Sequence, residues 1–214
     1  MGVIQELASV NGERGDTADI ALAARIAETG DTAALRELVD HLDDPDQGIR
    51  SDCVKTLYET GYRNPALLVP HAGRFLKLLA EKNNRLVWGG MIALSTIAEP
   101  AAAVIHRELP LIRKTMGKGS VITVDAGVRV LAGMGVSGEA YGEEIRPILL
   151  EHFRTYPVKY LPNHAEMAER CFLASGTSAA EFAAVLKTRS AALSGSALKR
   201  MERIIKRLEK GTRG

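Results

Sequence analysis

The chain has 214 residues, of which 46% are hydrophobic and 25% are charged, a balance that is ordinary for a globular protein. The net charge of +2 indicates no global attraction to nucleic acid. The low aromatic content of 5% favours helices over strands. No apolar run approaches the ~20 residues of a membrane span, and residues 1–16 lack a secretory signal pattern. With two cysteines in apolar helical contexts, the sequence predicts a cytoplasmic protein with reduced thiols.

One helical pattern recurs five times along the chain. A small residue is followed four positions later by a bulky apolar residue and, after four more, by another small one, with Leu22 as the exception at the first position. The central residues are Ile26, Leu57, Leu94, Leu131 and Phe172, at separations of 31, 37, 37 and 41. Such a recurrence indicates a solenoid of helical hairpins. We call these segments the B helices, and expect Gly90 and Gly127 to allow neighbouring B helices to approach closely.

Amphipathic segments between the B helices predict partner helices, which we call the A helices. The first follows Asp31, which is placed to cap the helix N-terminus. Three later A helices contain an internal proline, Pro70, Pro110 or Pro147, and each proline is expected to kink its helix.

The period near 37 residues, the prolines of the A helices and the B-helix segment GIRSDCVKTLYETG carry a resemblance. Over residues 17–176 the chain resembles the HEAT-repeat (armadillo-like) family. The resemblance implies an all-α fold, an α-solenoid of about five HEAT-like helical hairpins in a right-handed superhelix. We expect a single domain over residues 1–214, with C-terminal capping helices over 177–210. HEAT proteins are mostly scaffolds, so the resemblance implies a non-catalytic protein that binds a protein or peptide.

Helical geometry identifies the B-helix positions that face away from the core, nine, six and two residues before each central residue. In HEAT-like stacks these positions line the concave surface. The predicted partner-binding residues there are Lys55, Arg85, Trp88, Asp125, Arg129, Glu166 and Arg170, with Ser51, Ile92 and Ile122 between them. Exposed Trp and Arg dominate binding hot spots, so Trp88 is the expected apolar anchor. Two simpler interpretations stay open: Trp88 covers Tyr58 or Lys55, and Asp125 forms only a solvated ion pair with Arg129.

The last helical segment is strongly basic around an apolar stripe of Leu198, Met201, Ile205 and Leu208. Its basic patch comprises Lys199, Arg200, Arg203, Lys206 and Arg207. Two interpretations fit this pattern: a solvated capping helix, or a patch that binds an acidic partner or nucleic-acid phosphates.

The sequence contains no arrangement typical of a metal or cofactor site. The five histidines are not paired at helical spacing, and no phosphate loop, nucleophile elbow or dinucleotide fingerprint occurs. We therefore expect no metal, no cofactor and no enzymatic activity. One alternative is a nucleic-acid-binding protein, because residues 122–133 are similar to a helix of the HEAT-like DNA alkylpurine glycosylases. That similarity implies Asp125 as the catalytic carboxylate, although Val121 stands where the family presents a tryptophan.

Overall fold

The structure is a computed structural model that describes residues 2–13 and 15–211. Over these ranges the chain forms helices and turns, without a β-strand. It divides into two compact units, one up to Val130 and one from Leu131 onward. The expectation of a single domain over residues 1–214 stays a prediction.

Short and long helices alternate with turns along both units. The first unit contains α1 (Ala8–Asn11), α2 (Thr17–Thr29), α3 (Thr32–Asp40), α4 (Gln47–Arg63), α5 (Ala72–Leu78), α6 (Asn84–Ile97), α7 (Ala102–His106) and α8 (Leu109–Lys118). It ends within α9 (Val121–Val136), which continues into the second unit. The second unit then contains α10 (Glu139–Thr155), α11 (Leu161–Leu173), α12 (Gly176–Ser190) and α13 (Gly195–Gly211). Single 3₁₀ turns are formed by Val3–Glu6, His41–Asp43, Pro65–Leu67, Val69–His71 and Val158–Tyr160.

The predicted B helices are α2, α4, α6, α9 and α11. Their central residues are all in the core, with at most 1% of each residue exposed: Ile26, Leu57, Leu94, Leu131 and Phe172. In the first unit, α2 packs against α4 and α4 packs against α6, so successive B helices are neighbours. The predicted cap is also confirmed, because the Asp31 carboxylate accepts hydrogen bonds from the backbone N–H groups of Ala33 and Ala34 at 3.1 and 2.9 Å.

Two of the three prolines begin helices instead of bending them. Pro70 lies in the 3₁₀ turn before α5, and Pro110 occupies the first turn of α8, whereas Pro147 remains inside α10. Proline suits a first turn because the N–H that it lacks would have no helical acceptor there. The predicted kinks at Pro70 and Pro110 are therefore wrong, and these A segments are short turns or helices followed by a second helix.

The C-terminal helices continue the alternation of A and B helices. Within the second unit, α12 packs against α10, α13 packs against α11, and α12 and α13 pack against each other. The buried side chains of α13 are Met201, Ile204, Ile205 and Leu208. Ile204 is thus buried, whereas Leu198, which the sequence pattern placed on the apolar stripe, is half-buried. The segment that was expected to cap the solenoid therefore forms a further hairpin, in which an A helix, α12, is followed by a B helix, α13.

Adjacent glycines in α6 mark two different close contacts between helices. A Cβ atom at Gly90 would lie 2.8 Å from Cβ of Leu78 and 3.0 Å from the carbonyl oxygen of Phe75, both in α5. A Cβ atom at Gly89 would lie 2.9 Å from a methyl group of Val54 in α4. Gly89 therefore allows the close approach of two B helices, and Gly90 allows that of the A helix.

The expectation for the small residues is corrected by these contacts. Gly127, the counterpart of Gly90 in α9, likewise faces Met116 of the A helix α8. Since the first small residue of the pattern lies on the side of the helix that meets its own hairpin partner, the predicted contact between B helices at Gly90 and Gly127 is wrong.

Candidate partner-binding site

Aromatic and basic side chains of α4, α6 and α9 come together on one face of the first unit. We call this group the Trp88 cluster, and it comprises Lys55, Tyr58, Tyr62, Arg85, Trp88 and Arg129. The Trp88 side chain is half-buried, and its ring centre lies 6.4 Å from that of Tyr58. Tyr58 in turn meets Tyr62 edge-on, at 6.2 Å between ring centres. Three rings thus follow one another across two B helices.

Cationic side chains lie beside these rings. The guanidinium carbon of Arg85 is 6.0 Å from the Trp88 ring centre, and Nη1 of Arg129 donates a hydrogen bond to Oη of Tyr62 at 3.4 Å. Lys55 differs, because its Nζ lies 2.9 Å from the carboxylate of Asp16 as well as 5.5 Å from the Tyr58 ring. Within the described residues, neither Arg85 nor Arg129 forms an ion pair with a carboxylate.

The bond between Arg129 and Tyr62 joins helices that are not successive in the repeat. Tyr62 belongs to α4 and Arg129 to α9, and α6 lies between these helices in the order of the B helices. The bond therefore joins two B helices that are not neighbours in the sequence of repeats. The solvated ion pair between Asp125 and Arg129 that the spacing allows stays a prediction. Asp125 itself is half-buried on α9.

The sequence analysis named Tyr58 as a possible contact of Trp88 but missed Tyr62, although a signal for Tyr62 was present. Tyr62 is five residues after the central Leu57, and at 100° per residue this position points within about 20° of the outward position two residues before Leu57. Tyr62 is 50% exposed, and Ile122 on α9 is 48% exposed. The face thus offers apolar surface as well as charge.

Ser51 departs from the predicted outward positions. It is buried, with 8% of the residue exposed. The N-terminal segment lies against this turn of α4, because the backbone N–H of Ser9 donates to the carboxylate of Asp52 at 2.8 Å. The outward surface of α4 therefore begins only at Lys55.

Comparison with known proteins gives the fold. No family model and no curated protein matches the sequence. Among solved structures, an engineered protein is similar at 14% identity with a TM-score of 0.69, over 99% of this chain and 98% of that one. The designed armadillo repeat protein YIII(Dq.V1)4CPAF, in complex with peptide (KR)4, is similar at 13% identity and TM-score 0.69, over 97% and 98% of the two chains. A second design, YIII(Dq)4CqI, is similar at 13% identity and TM-score 0.68, over 92% of each chain.

The chain is an armadillo/HEAT-like α-solenoid. At these identities the likeness carries the fold alone, and it agrees with the repeat found in the sequence. The right-handed sense of the superhelix stays a prediction. None of the solenoid helices within residues 2–13 and 15–211 has the length and apolar character that a membrane crossing requires.

In the second unit of the solenoid, several predicted site residues bind one another. Arg200 of α13 donates from Nε to the Glu166 carboxylate of α11 at 2.5 Å, and Arg207 binds Glu169 through two hydrogen bonds of 2.6 and 2.7 Å. The Arg200 guanidinium holds the pKa of Glu166 below its ordinary value. These pairs join α13 to α11, so Glu166, Arg200 and Arg207 are already engaged within the protein. Arg170 is exposed on α11.

The rest of the predicted basic patch faces solvent. Lys199, Arg203 and Lys206 line an open groove of about 460 Å³ together with Ser196 and Glu202. Since an acidic side chain lies among these three cations, the groove is mixed in charge.

A buried aromatic cluster in the second unit has a packing role that the sequence did not reveal. His152 of α10 and His164 of α11 share a hydrogen bond of 2.9 Å between Nε2 and Nδ1, and Tyr156 stacks on His152 at 4.6 Å. Burial and the neighbouring His164 lower the pKa of His152 to about 4. In the part of the chain that the structure describes, no group of three or more His, Cys, Asp or Glu side chains is arranged to hold a metal ion.

Proposed function

We propose that this solenoid is a non-catalytic scaffold that binds a protein or peptide on its B-helix face, with the Trp88 cluster as the centre of the binding site. The supporting observation is the composition of this surface. A half-exposed Tyr62 and a half-buried Trp88 stand beside Arg129 and Arg85, whose charges have no carboxylate partner among the described residues. Trp, Tyr and Arg are the side chains that carry most of the energy of protein interfaces.

The structural comparison supports this proposal at the level of the fold. One similar protein, the designed armadillo repeat protein YIII(Dq.V1)4CPAF, is in complex with a peptide. A solenoid of the same fold can therefore hold a peptide, and repeat solenoids characteristically offer extended binding surfaces. The roles of Asp125 and Arg170 in orienting the partner stay part of this proposal, and Glu166 is already bound by Arg200.

Nucleic-acid binding is less favoured by the geometry. A duplex binder needs several cations that are available to phosphates. Two members of the predicted patch, Arg200 and Arg207, are instead paired with Glu166 and Glu169. The catalytic role of Asp125 in a glycosylase stays a prediction that no observation on this chain favours.

A peptide-display selection tests the proposed function. A random peptide library is selected on the wild-type protein, and the enriched peptides are then measured on Tyr62→Ala, Trp88→Phe and Val104→Ala. Val104 is the matched control, because it is 42% exposed on the A helix α7, away from the Trp88 cluster. Peptides should bind the wild type and Val104→Ala, and lose about tenfold or more in affinity on the other two variants. Equal binding to all four proteins, or no enrichment, would contradict the proposal.

A further inference from the structure

We propose that the Trp88 cluster recognises an extended acidic peptide, with carboxylates at the two ends of a short apolar stretch. This inference rests on the proposed function and adds the chemical class of the partner.

Cationic side chains of α4 have carboxylate partners, whereas the two arginines of the cluster on α6 and α9 have none among the described residues. Lys55 pairs with Asp16 at 2.9 Å, and Arg63, on the same helix, pairs with Glu59 at 2.9 Å. Arg85 and Arg129 are exposed, and within the described residues neither has a carboxylate partner. The surplus positive charge of this face therefore resides on two arginines.

Both arginines lie against an aromatic side chain. Arg85 lies over the Trp88 ring, and Arg129 uses one N–H group on Tyr62. Guanidinium groups placed in this way lose less conformational freedom on binding, and they keep further N–H donors for a carboxylate. Asp125, one turn before Arg129 on α9, is half-buried and already has an interaction within the protein.

The spacing of the arginines limits the length of the peptide. A chain of contacts runs from Arg85 through Trp88, Tyr58 and Tyr62 to Arg129, with distances of 6.0, 6.4, 6.2 and 3.4 Å. With about 4 Å more for the path from the Tyr62 ring centre to Oη and from Nη1 to the guanidinium carbon of Arg129, the two groups are at most about 26 Å apart, a span that an extended peptide covers with no more than about eight residues.

Apolar side chains of the peptide match the surface between the arginines. Trp88 and Tyr62 present ring surface, and Ile122 adds an exposed aliphatic side chain on α9. Alternate side chains of an extended peptide point to the same side, so about two or three apolar residues can reach this surface. The expected ligand is therefore acidic at both ends and apolar at its centre.

The sign of the charge distinguishes this surface from that of the similar designed protein. The peptide in complex with that protein, (KR)4, is basic. Two arginines that have no carboxylate partner within residues 2–13 and 15–211 repel a basic peptide and attract an acidic one. We therefore expect this solenoid to prefer the opposite charge.

Three synthetic peptides test the inference: EELLLLEE, its lysine counterpart KKLLLLKK and its neutral counterpart QQLLLLQQ. Binding is measured by Trp88 fluorescence and by calorimetry, on the wild type and on Arg85→Gln, Arg129→Gln and Arg113→Gln. Arg113 is the matched control, since it is an exposed arginine of the A helix α8. The acidic peptide should bind about tenfold more tightly than the neutral one, with an affinity that falls as salt rises. Gln at either Arg85 or Arg129 should remove most of this preference, and Gln at Arg113 should not.

The possible outcomes separate the inference from the proposed function. Tighter binding of the lysine peptide, or an acidic preference that survives both glutamine variants, overturns the inference. Display-selected peptides that bind through Tyr62 and Trp88 but lack acidic residues overturn the inference and leave the proposed function intact. If none of the three peptides binds and the display selection also fails, both are wrong.

Discussion

Replacing Gly90 by alanine tests the close contact between α5 and α6 in the first unit. The added methyl group would lie 2.8 Å from Cβ of Leu78 and 3.0 Å from the carbonyl oxygen of Phe75. Neither atom can rotate away, because one is backbone and the other is fixed to it. The two helices must therefore separate by several tenths of an ångström.

Two opposing terms determine the size of the effect. Alanine is favoured over glycine inside a helix by about 1 kcal/mol. Overpacking a well-packed contact costs about 1–3 kcal/mol, and rigid opposing atoms place Gly90 near the upper end of that range. Gly90→Ala should therefore lower the free energy of unfolding by about 1–2 kcal/mol.

Gly73 provides the matched control. It lies in α5, is exposed, and a Cβ atom there would have no described atom within 4 Å. Gly73→Ala should gain the helix propensity alone, and so raise the free energy of unfolding by up to about 1 kcal/mol. Urea denaturation, followed by circular dichroism, should show the two midpoints moving in opposite directions with equal slopes. If Gly90→Ala is as stable as Gly73→Ala, the close contact is not present as described.

Three further predictions concern titratable and charged groups. Because burial and His164 lower the pKa of His152 to about 4 from 6.5, its contribution to stability is complete above pH 6.5 and is lost as the pH falls through 4. As the pH falls over this window, hydrogen exchange in α10 and α11 should accelerate and report a loss of stability of up to about 3 kcal/mol. The acceleration should be smaller in His152→Gln. Burial, opposed by a hydrogen bond from the Ala8 N–H, raises the pKa of Asp19 to about 6 from 3.8, so its contribution is complete below pH 3.8 and is lost as the pH rises through 6. Asp19→Asn should therefore stabilise the protein by up to about 3 kcal/mol at pH 7 and little at pH 3.5 in urea titrations, and equal effects at both pH values would refute this origin. Arg207→Ala should cost up to about 1 kcal/mol in thermal melts through loss of its pair with Glu169, whereas Arg203→Ala should change nothing.

The repeat was predictable because it depends on a local pattern that recurs. Each B helix must bury one bulky residue at its centre, so the period of Leu57, Leu94 and Leu131 appears in the sequence whatever the loops do. The expected kinks failed for the opposite reason. A proline lacks the backbone N–H group that would donate a helical hydrogen bond. The chain can accommodate this loss either by bending a helix or by starting one at the proline. Pro70 and Pro110 start helices, and only Pro147 stays inside one.

The candidate site was predictable only in part. Outward positions follow from angular spacing, which indicated Trp88 and Arg129. The partners of these residues depend on which helices approach each other, and no single helix contains that information. Tyr58 contacts Trp88 across two helices, and Tyr62 reaches Arg129 across three. The pairing of Glu166 with Arg200 is likewise a contact between α11 and α13 that spacing within one helix cannot give.

The bond between Tyr62 and Arg129 bears on how the B helices of the first unit are coupled to one another. Stability in a solenoid is approximately a sum of terms within repeats and between adjacent repeats. A side-chain bond between α4 and α9, which are not successive B helices, lies outside that sum. At 3.4 Å between exposed groups it is weak. A ligand that takes over the Arg129 guanidinium would break this bond. Binding on this face and the direct contact between α4 and α9 would then exclude each other.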